Sequence, residues 1–373
     1  MFDHALIIGA MLFVAYANGA NDNFKGVATL FGSGISSYRK ALWWATLTTL
    51  AGSAAAMLLA TRLIAVFQGE GLVPDTVAQS PGFLGAAILG AAVTVMASAR
   101  IGMPISTTHS LTGALVGGAI AAGGFNLSLD TLAQSFFLPL LVSPLMAVAL
   151  SLILVPFSRA FFRLAGMNRA TCFCVASEIM PVMATPEGCV LSNRASPLRV
   201  IIDQEPQCEQ RVAGNLFGVN IHTLVDYGHF LSAGAVSFAR GLNDTPKIVA
   251  LGLAAGELGT EWSIGFVAVA MAAGGLLSAR RVAETVSKRI TAMEPDQGFL
   301  ANLVTSFLVI CASAWGMPVS TTHVSCGALF GIGVARGGAH WATIRAIVLA
   351  WFLTLPFAAA SAGVLYTVLA RLS

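Results

Sequence analysis

Ten stretches of this chain are apolar over enough residues to cross a bilayer core, which requires about 20 residues of helix. They run over 2–36, 41–61, 82–99, 102–123, 133–157, 223–254, 262–279, 297–314, 316–335 and 342–370. Polar residues interrupt four of them at matching places. The first and sixth contain Asn21-Asp22-Asn23-Phe24-Lys25 and Asn243-Asp244-Thr245-Pro246-Lys247. The fourth and ninth contain Pro104-Ile105-Ser106-Thr107-Thr108-His109 and Pro318-Val319-Ser320-Thr321-Thr322-His323, each following a Gly-Met pair. Pro104, Pro246 and Pro318, with nearby glycines, predict broken helices, because proline removes a helical donor and crowds the preceding turn. Broken backbone at membrane depth is tolerated only where protein buries it or where it lines a polar cavity. Interrupted spans at corresponding positions of two halves point to a binding site at the midplane. The pattern predicts an all-α integral membrane protein with two repeats of about five spans each. Residues 1–164 form the first repeat, 165–222 a polar insert and 223–373 the second repeat.

Composition agrees with that picture. Hydrophobic residues make up 56% and charged residues 10% of the 373 residues. A soluble domain carries roughly 25% charged residues, so this chain cannot cover a water-facing surface. A net charge of +3 does not suggest a nucleic-acid partner. The apolar stretch from Ala5 to Tyr16 lacks a basic leader and a small-residue cleavage site, and reads as a retained span.

The loops add an orientation. Arg39 and Lys40 follow the first motif, whereas Glu257 and Glu261 follow its counterpart. Glu70 and Asp75 follow the second span, whereas Arg280, Arg281, Lys288 and Arg289 stand at the equivalent place in the second half. Basic residues mark the cytoplasmic side, and here they change sides between halves. The expectation is therefore an inverted-topology repeat in the plasma membrane, with both termini outside and the insert cytosolic. The insert holds Cys172, Cys174, Cys189 and Cys208. Their spacings match no standard zinc motif, and stable disulfides are rare in the cytosol, so reduced thiols and a metal site both stay open.

The polar strings imply chemistry. Proline followed by Ser and Thr is a helix start, with hydroxyls as caps. A helix start presents free N–H groups and a positive dipole end, which suit an anion. Two such starts could enclose a tetrahedral oxyanion with Ser106, Thr107, Thr108, Ser320, Thr321 and Thr322. Structural capping is the plainer alternative for one copy; duplication favours a site. Asp22 and Asp244 are candidates to hold a coupling cation or proton, since intramembrane carboxylates mark ion pathways. Asn21 and Asn243 can donate and accept. Lys25 and Lys247 stand within reach of their own Asp, or contact the anion directly. His109 and His323 are either satisfied core residues or proton carriers.

At these residues the chain resembles the inorganic phosphate transporter (PiT) family, which includes related sulfate permeases. The resemblance rests on Gly19-Ala20-Asn21-Asp22, its weaker copy Gly241-Leu242-Asn243-Asp244, and both Ser-Thr-Thr-His strings, and it spans nearly the whole chain. It implies an inverted-repeat secondary transporter that binds a tetrahedral oxyanion and co-transports sodium or protons, without a cofactor. One departure matters: the family pattern has Asn where Lys25 and Lys247 stand here. A fixed ammonium beside each Asp takes the charge role of a bound sodium ion, which predicts sodium-independent transport.

Phosphate is ahead of sulfate as substrate on family frequency. Lipid is the partner of the outer faces, and a homodimer is a further candidate. Two rivals come from other classes. An intramembrane hydrolase using Ser106 and His109 lacks the Gly-x-Ser-x-Gly elbow, and duplication of the whole set argues against one catalytic centre. An anion channel would share the same site but not concentrate its solute.

Overall fold

The computed structural model describes residues 2–59, 61–68, 74–123, 128–166, 171–176, 184–185, 188–189, 199–204, 217–253 and 259–371. They fall into two compact units, Met1–Val155 with His229–Ser373, and Pro156–Gly228. Among the described residues the long helices are α1 (Phe2–Asp22), α2 (Tyr38–Leu59), α3 (Pro81–Ile101), α4 (Thr107–Ala121), α5 (Leu138–Leu164), α6 (Ile221–Leu253), α7 (Thr260–Ser278), α8 (Pro295–Ala314), α9 (Thr321–Arg336) and α10 (Trp341–Leu369). The protein is a multi-pass helical membrane protein. Seven described helices are long and apolar enough to span: α1, α2, α3, α5, α7, α8 and α10.

Of the ten stretches read from sequence, those of α4, α6 and α9 are not among the helices long and apolar enough to span; α6 has the length but carries Arg240, Asp244 and Lys247. α4 and α9 have 15 and 16 residues, only about 23 Å of rise against a hydrocarbon core of about 30 Å. Each is instead the returning arm of a hairpin. A Cβ at Gly118, late in α4, would lie 3.2 Å from the ring of Phe83, early in α3. Arg336 at the end of α9 pairs with Glu294 and Asp296 at the start of α8, at 3.4 and 3.5 Å. The turn between each pair of arms is the Gly-Met-Pro segment, where Gly102 and Gly316 have φ of 77° and 74°. These positive values favour glycine over any residue with a Cβ.

The halves interlock. A Cβ at Gly274 of α7 would collide with the carbonyl of Tyr16 on α1, and one at Gly241 of α6 with that of Thr49 on α2. Likewise α4 packs on α10 through Gly117, and α9 on α5 through Gly331. Small residues give helices close backbone approach in lipid, where apolar burial offers little drive for association. Every motif-bearing helix thus leans on a helix of the other half. Apolar side chains that remain exposed, such as Leu141 and Leu145 on α5 and Phe352 and Leu353 on α10, form the surface expected against acyl chains.

The second unit adds something the helical expectation lacked. Thr171–Ala176 is the middle strand of an antiparallel sheet, between Arg199–Gln204 and Phe217–Asn220. Runs such as Val200-Ile201-Ile202 suit a pleated surface. The side chains of Cys172, Cys174, Cys189 and Cys208 lie outside the described residues. Among the described residues no three His, Cys, Asp or Glu side chains gather in a metal-binding cluster.

Candidate functional site

Both hairpin tips end in a capped helix start. Ser106 caps α4 by accepting from the backbone N–H of His109 at 3.1 Å, and Ser320 caps α9 by accepting from that of His323 at 3.2 Å. The Ser hydroxyls are therefore engaged as caps, one satisfied donor each. The tips meet and exchange bonds. Thr108 Oγ1 donates to Val319 O at 3.3 Å, and Thr322 Oγ1 donates to Ile105 O at 2.9 Å. Ser106, Thr107, Thr108, Ser320, Thr321 and Thr322 are all buried.

The Asn-Asp segments close this junction from behind. Asn21 donates to Met103 O at 3.0 Å, and Asn243 donates to Val319 O at 3.1 Å. Lys25 Nζ pairs with Asp22 and donates to Asn21 Oδ1 at 2.6 Å, Ile105 O at 2.9 Å and Thr322 Oγ1 at 2.6 Å. Lys247 Nζ donates to Val319 O at 2.6 Å and Thr108 Oγ1 at 2.9 Å, with Asp244 3.7 Å away. Each lysine thus reaches the hairpin tip of the other half. Asp22 is further held by Thr107 at 3.0 Å.

Pro246 does not break its helix. The sequence predicts an interruption there, yet α6 runs unbroken from Ile221 to Leu253. Membrane helices tolerate proline when neighbouring groups stabilise the affected turn. Asn243 is bonded to the second hairpin tip, and Thr245 is bonded to Ser53 at 2.7 Å. The first segment, with no proline, is the one that unwinds: α1 stops at Asp22 and a short 3-10 turn covers Lys25–Val27.

A family model described as the phosphate transporter family matches residues 18–362. That range contains every element of the junction. The chain belongs to the phosphate transporter family.

Relatives of this transporter bear matching names. The "Inorganic phosphate transporter 2-1, chloroplastic" of Arabidopsis thaliana is 28% identical, over 95% of this chain and 70% of that one. The "Probable low-affinity inorganic phosphate transporter" of Rhizobium meliloti is 27% identical over 96% and 94%. Among solved structures, "The sodium-dependent phosphate transporter" has the same fold, with a TM-score of 0.75 over 100% of both chains at 19% identity.

Two further polar residues of the transporter, outside the motifs, stand beside the carboxylates. Asn18 and Arg240 are buried beside the carboxylates, each three positions before the Asn of its motif. Asn18 Nδ2 lies 2.9 Å from Asp22 and 3.1 Å from Asp244, bridging the halves. Arg240 donates to Asn18 Oδ1 at 2.6 Å and Asn23 Oδ1 at 2.8 Å. An arginine inside an apolar span was itself the available signal.

His109 and His323 of the transporter lie against each other, ring centroids 4.3 Å apart, and His323 stacks near Trp351 at 3.9 Å. Among the described residues His109 Nδ1 has no hydrogen-bond partner, while His323 is within reach of the backbone of Leu140. An open cavity of about 780 Å³ reaches the first hairpin from one side, lined by Tyr16, Ala99, Arg100 and Arg281 among others.

Proposed function

We propose that the protein is a secondary active transporter of inorganic phosphate, coupled to protons and independent of sodium, in the plasma membrane. The observation that carries this reading is the reciprocal junction of the two hairpin tips with a lysine of each half seated on it. Such an exchange is what a two-fold relation generates, and it supports inverted repeats around one shared site. The helix starts of α4 and α9 aim free N–H groups and positive dipole ends at that junction, which favours an oxyanion. Substrate contacts fall to Asn21, Thr107, Thr108, Asn243, Thr321 and Thr322, with the lysine ammoniums beside them.

Sodium independence follows from the lysine surroundings. Lys25 Nζ is ringed by a carboxylate, an amide oxygen, a main-chain carbonyl and a hydroxyl. Oxygen sets of this kind bind hard cations, and here a tethered cation occupies them. It cannot leave with the substrate. His109, whose Nδ1 has no partner among the described residues, and His323 stacked against it are left to accept a travelling proton. The test is phosphate uptake into proteoliposomes with sodium and pH gradients varied independently. Uptake should follow the pH gradient and ignore sodium; the reverse result would overturn the proposal. In a K25N/K247N variant, sodium dependence should appear.

Sulfate is the second reading. Asp22 already takes hydrogen bonds from Lys25, Asn18 and Thr107, which leaves little acceptor capacity for a P–OH proton. An acceptor-only anion suits such a site, and competition of sulfate with phosphate in the same assay measures it.

A further inference from the structure

The core contains five buried side chains that are ionised in their ordinary forms among the described residues: Asp22, Lys25, Arg240, Asp244 and Lys247. Lys25 and Lys247 face the hairpin tips and each stands beside an Asp. Arg240 also stands beside Asp244 but bonds to neither tip: its guanidinium is bonded to Asn18, to Asn23 and to Thr49 at 3.3 Å. Its Nε lies 3.8 Å from Asp244, too far for a hydrogen bond, and has no other partner among the described residues.

The position has a counterpart. Arg240 precedes Asn243 by three residues, as Asn18 precedes Asn21, so the two occupy equivalent places in the halves and also touch. One half puts a neutral amide there and the other a cation. Three cations then stand against two carboxylates, so these side chains carry one positive charge in excess. Buried charge is costly unless it is balanced, and the low effective dielectric of the interior strengthens what balances it. A bound anion supplies the missing charge.

We propose that Arg240 is a specificity-determining residue: by its charge, and without touching the anion, it gives the core the excess that selects an anion. This rests on the anion-site reading above. Its hydrogen bonds also fasten α6 to α1 and α2, so the test must separate charge from fastening.

Equilibrium binding of radiolabelled inorganic phosphate to the purified full-length protein in detergent does so. R240K keeps the charge and should bind within about threefold of the original protein, whereas R240Q keeps donors but loses the charge and should bind at least about tenfold more weakly, equivalent to about 1.4 kcal/mol. R240Q/D244N restores the excess and should recover to within about threefold. D244N alone raises the excess and should bind more tightly. Equal losses in R240K and R240Q, or no recovery in the double variant, would assign Arg240 a purely structural role and overturn the proposal. If R240Q does not fold, D244N decides, because it leaves Arg240 in place: unchanged or weaker binding overturns the proposal. Absence of phosphate binding by the original protein would instead defeat the anion-site reading itself.

Discussion

The two Asn-Asp-x-x-Lys segments share a register and adopt opposite backbones. Asn21–Lys25 contains no proline, yet α1 ends inside it; Asn243–Lys247 contains Pro246, yet α6 runs through. The consequence shows in the lysines. Unwinding lets Lys25 reach three oxygens within 2.9 Å besides Asp22, while Lys247, held on a continuous helix, reaches two. Whether a helix breaks is therefore decided by what receives its freed polar groups, not by proline alone. The two segments match in sequence register and differ in how tightly each grips its tethered charge.

The largest test of this pairing removes the close approach that brings the segments together. A side chain at Gly19 would collide with the carbonyl of Met271, and one at Gly241 with that of Thr49. Overpacking costs typically about 1–3 kcal/mol even where side chains can yield, and here the obstacle is backbone. Gly19→Val and Gly241→Val should each leave little folded monodisperse protein on size-exclusion chromatography in detergent. Survival of either variant would mean that the interlock between halves is looser than it looks.

Next in size are the lysines. Removing one partner of a buried ion pair costs about 3–5 kcal/mol, because the other charge is stranded. Lys25→Ala strands Asp22, whose charge partner is gone; Lys247→Ala leaves Asp244 with Arg240 3.8 Å away. Thermal unfolding should show the larger loss for Lys25→Ala. Equal losses would erase the asymmetry described above.

How much of this was legible beforehand depends on the kind of signal. Polar strings within apolar spans are loud, since hydrocarbon makes each one costly, so Asp22, Asp244 and both Ser-Thr-Thr turns stood out and now lie together. Length was harder. The apolar stretch around Gly102–Gly123 reads as a full span, but the Gly-Met-Pro turn consumes residues and leaves α4 with 15. Pro246 misled because its neighbours' bonds to Ser53 and the second hairpin tip are contacts from distant sequence. Arg240 has Asn18 as its counterpart in the other half, so the repeat of matched motifs does not mark it.

The two caps offer a smaller and symmetric comparison. Ser106 and Ser320 have nearly the same backbone, φ −95° and −98°, and make the same bond to the residue three ahead. Loss of an N-cap hydroxyl costs typically about 1 kcal/mol. Ser106→Ala and Ser320→Ala should lower thermal stability by similar amounts, measured side by side. A large difference would show that one hydroxyl has a second task that its mirror lacks.

The smallest expected effect belongs to Pro246. In a helix interior proline removes one hydrogen bond and crowds the carbonyl four residues back, at about 3 kcal/mol in an isolated soluble helix. Here that carbonyl is Leu242's, on a turn already fixed by Asn243 and Thr245. Pro246→Ala should therefore restore one bond without changing the course of α6. Melting temperature should rise slightly, by about 1 kcal/mol of stability or less. Phosphate uptake should stay near its original rate, because Lys247 keeps its place over Val319. A marked fall in uptake with stability raised would have a different meaning: the proline would then be a point of bending that the transport cycle uses, and the two segments would be alike in motion even though they differ at rest.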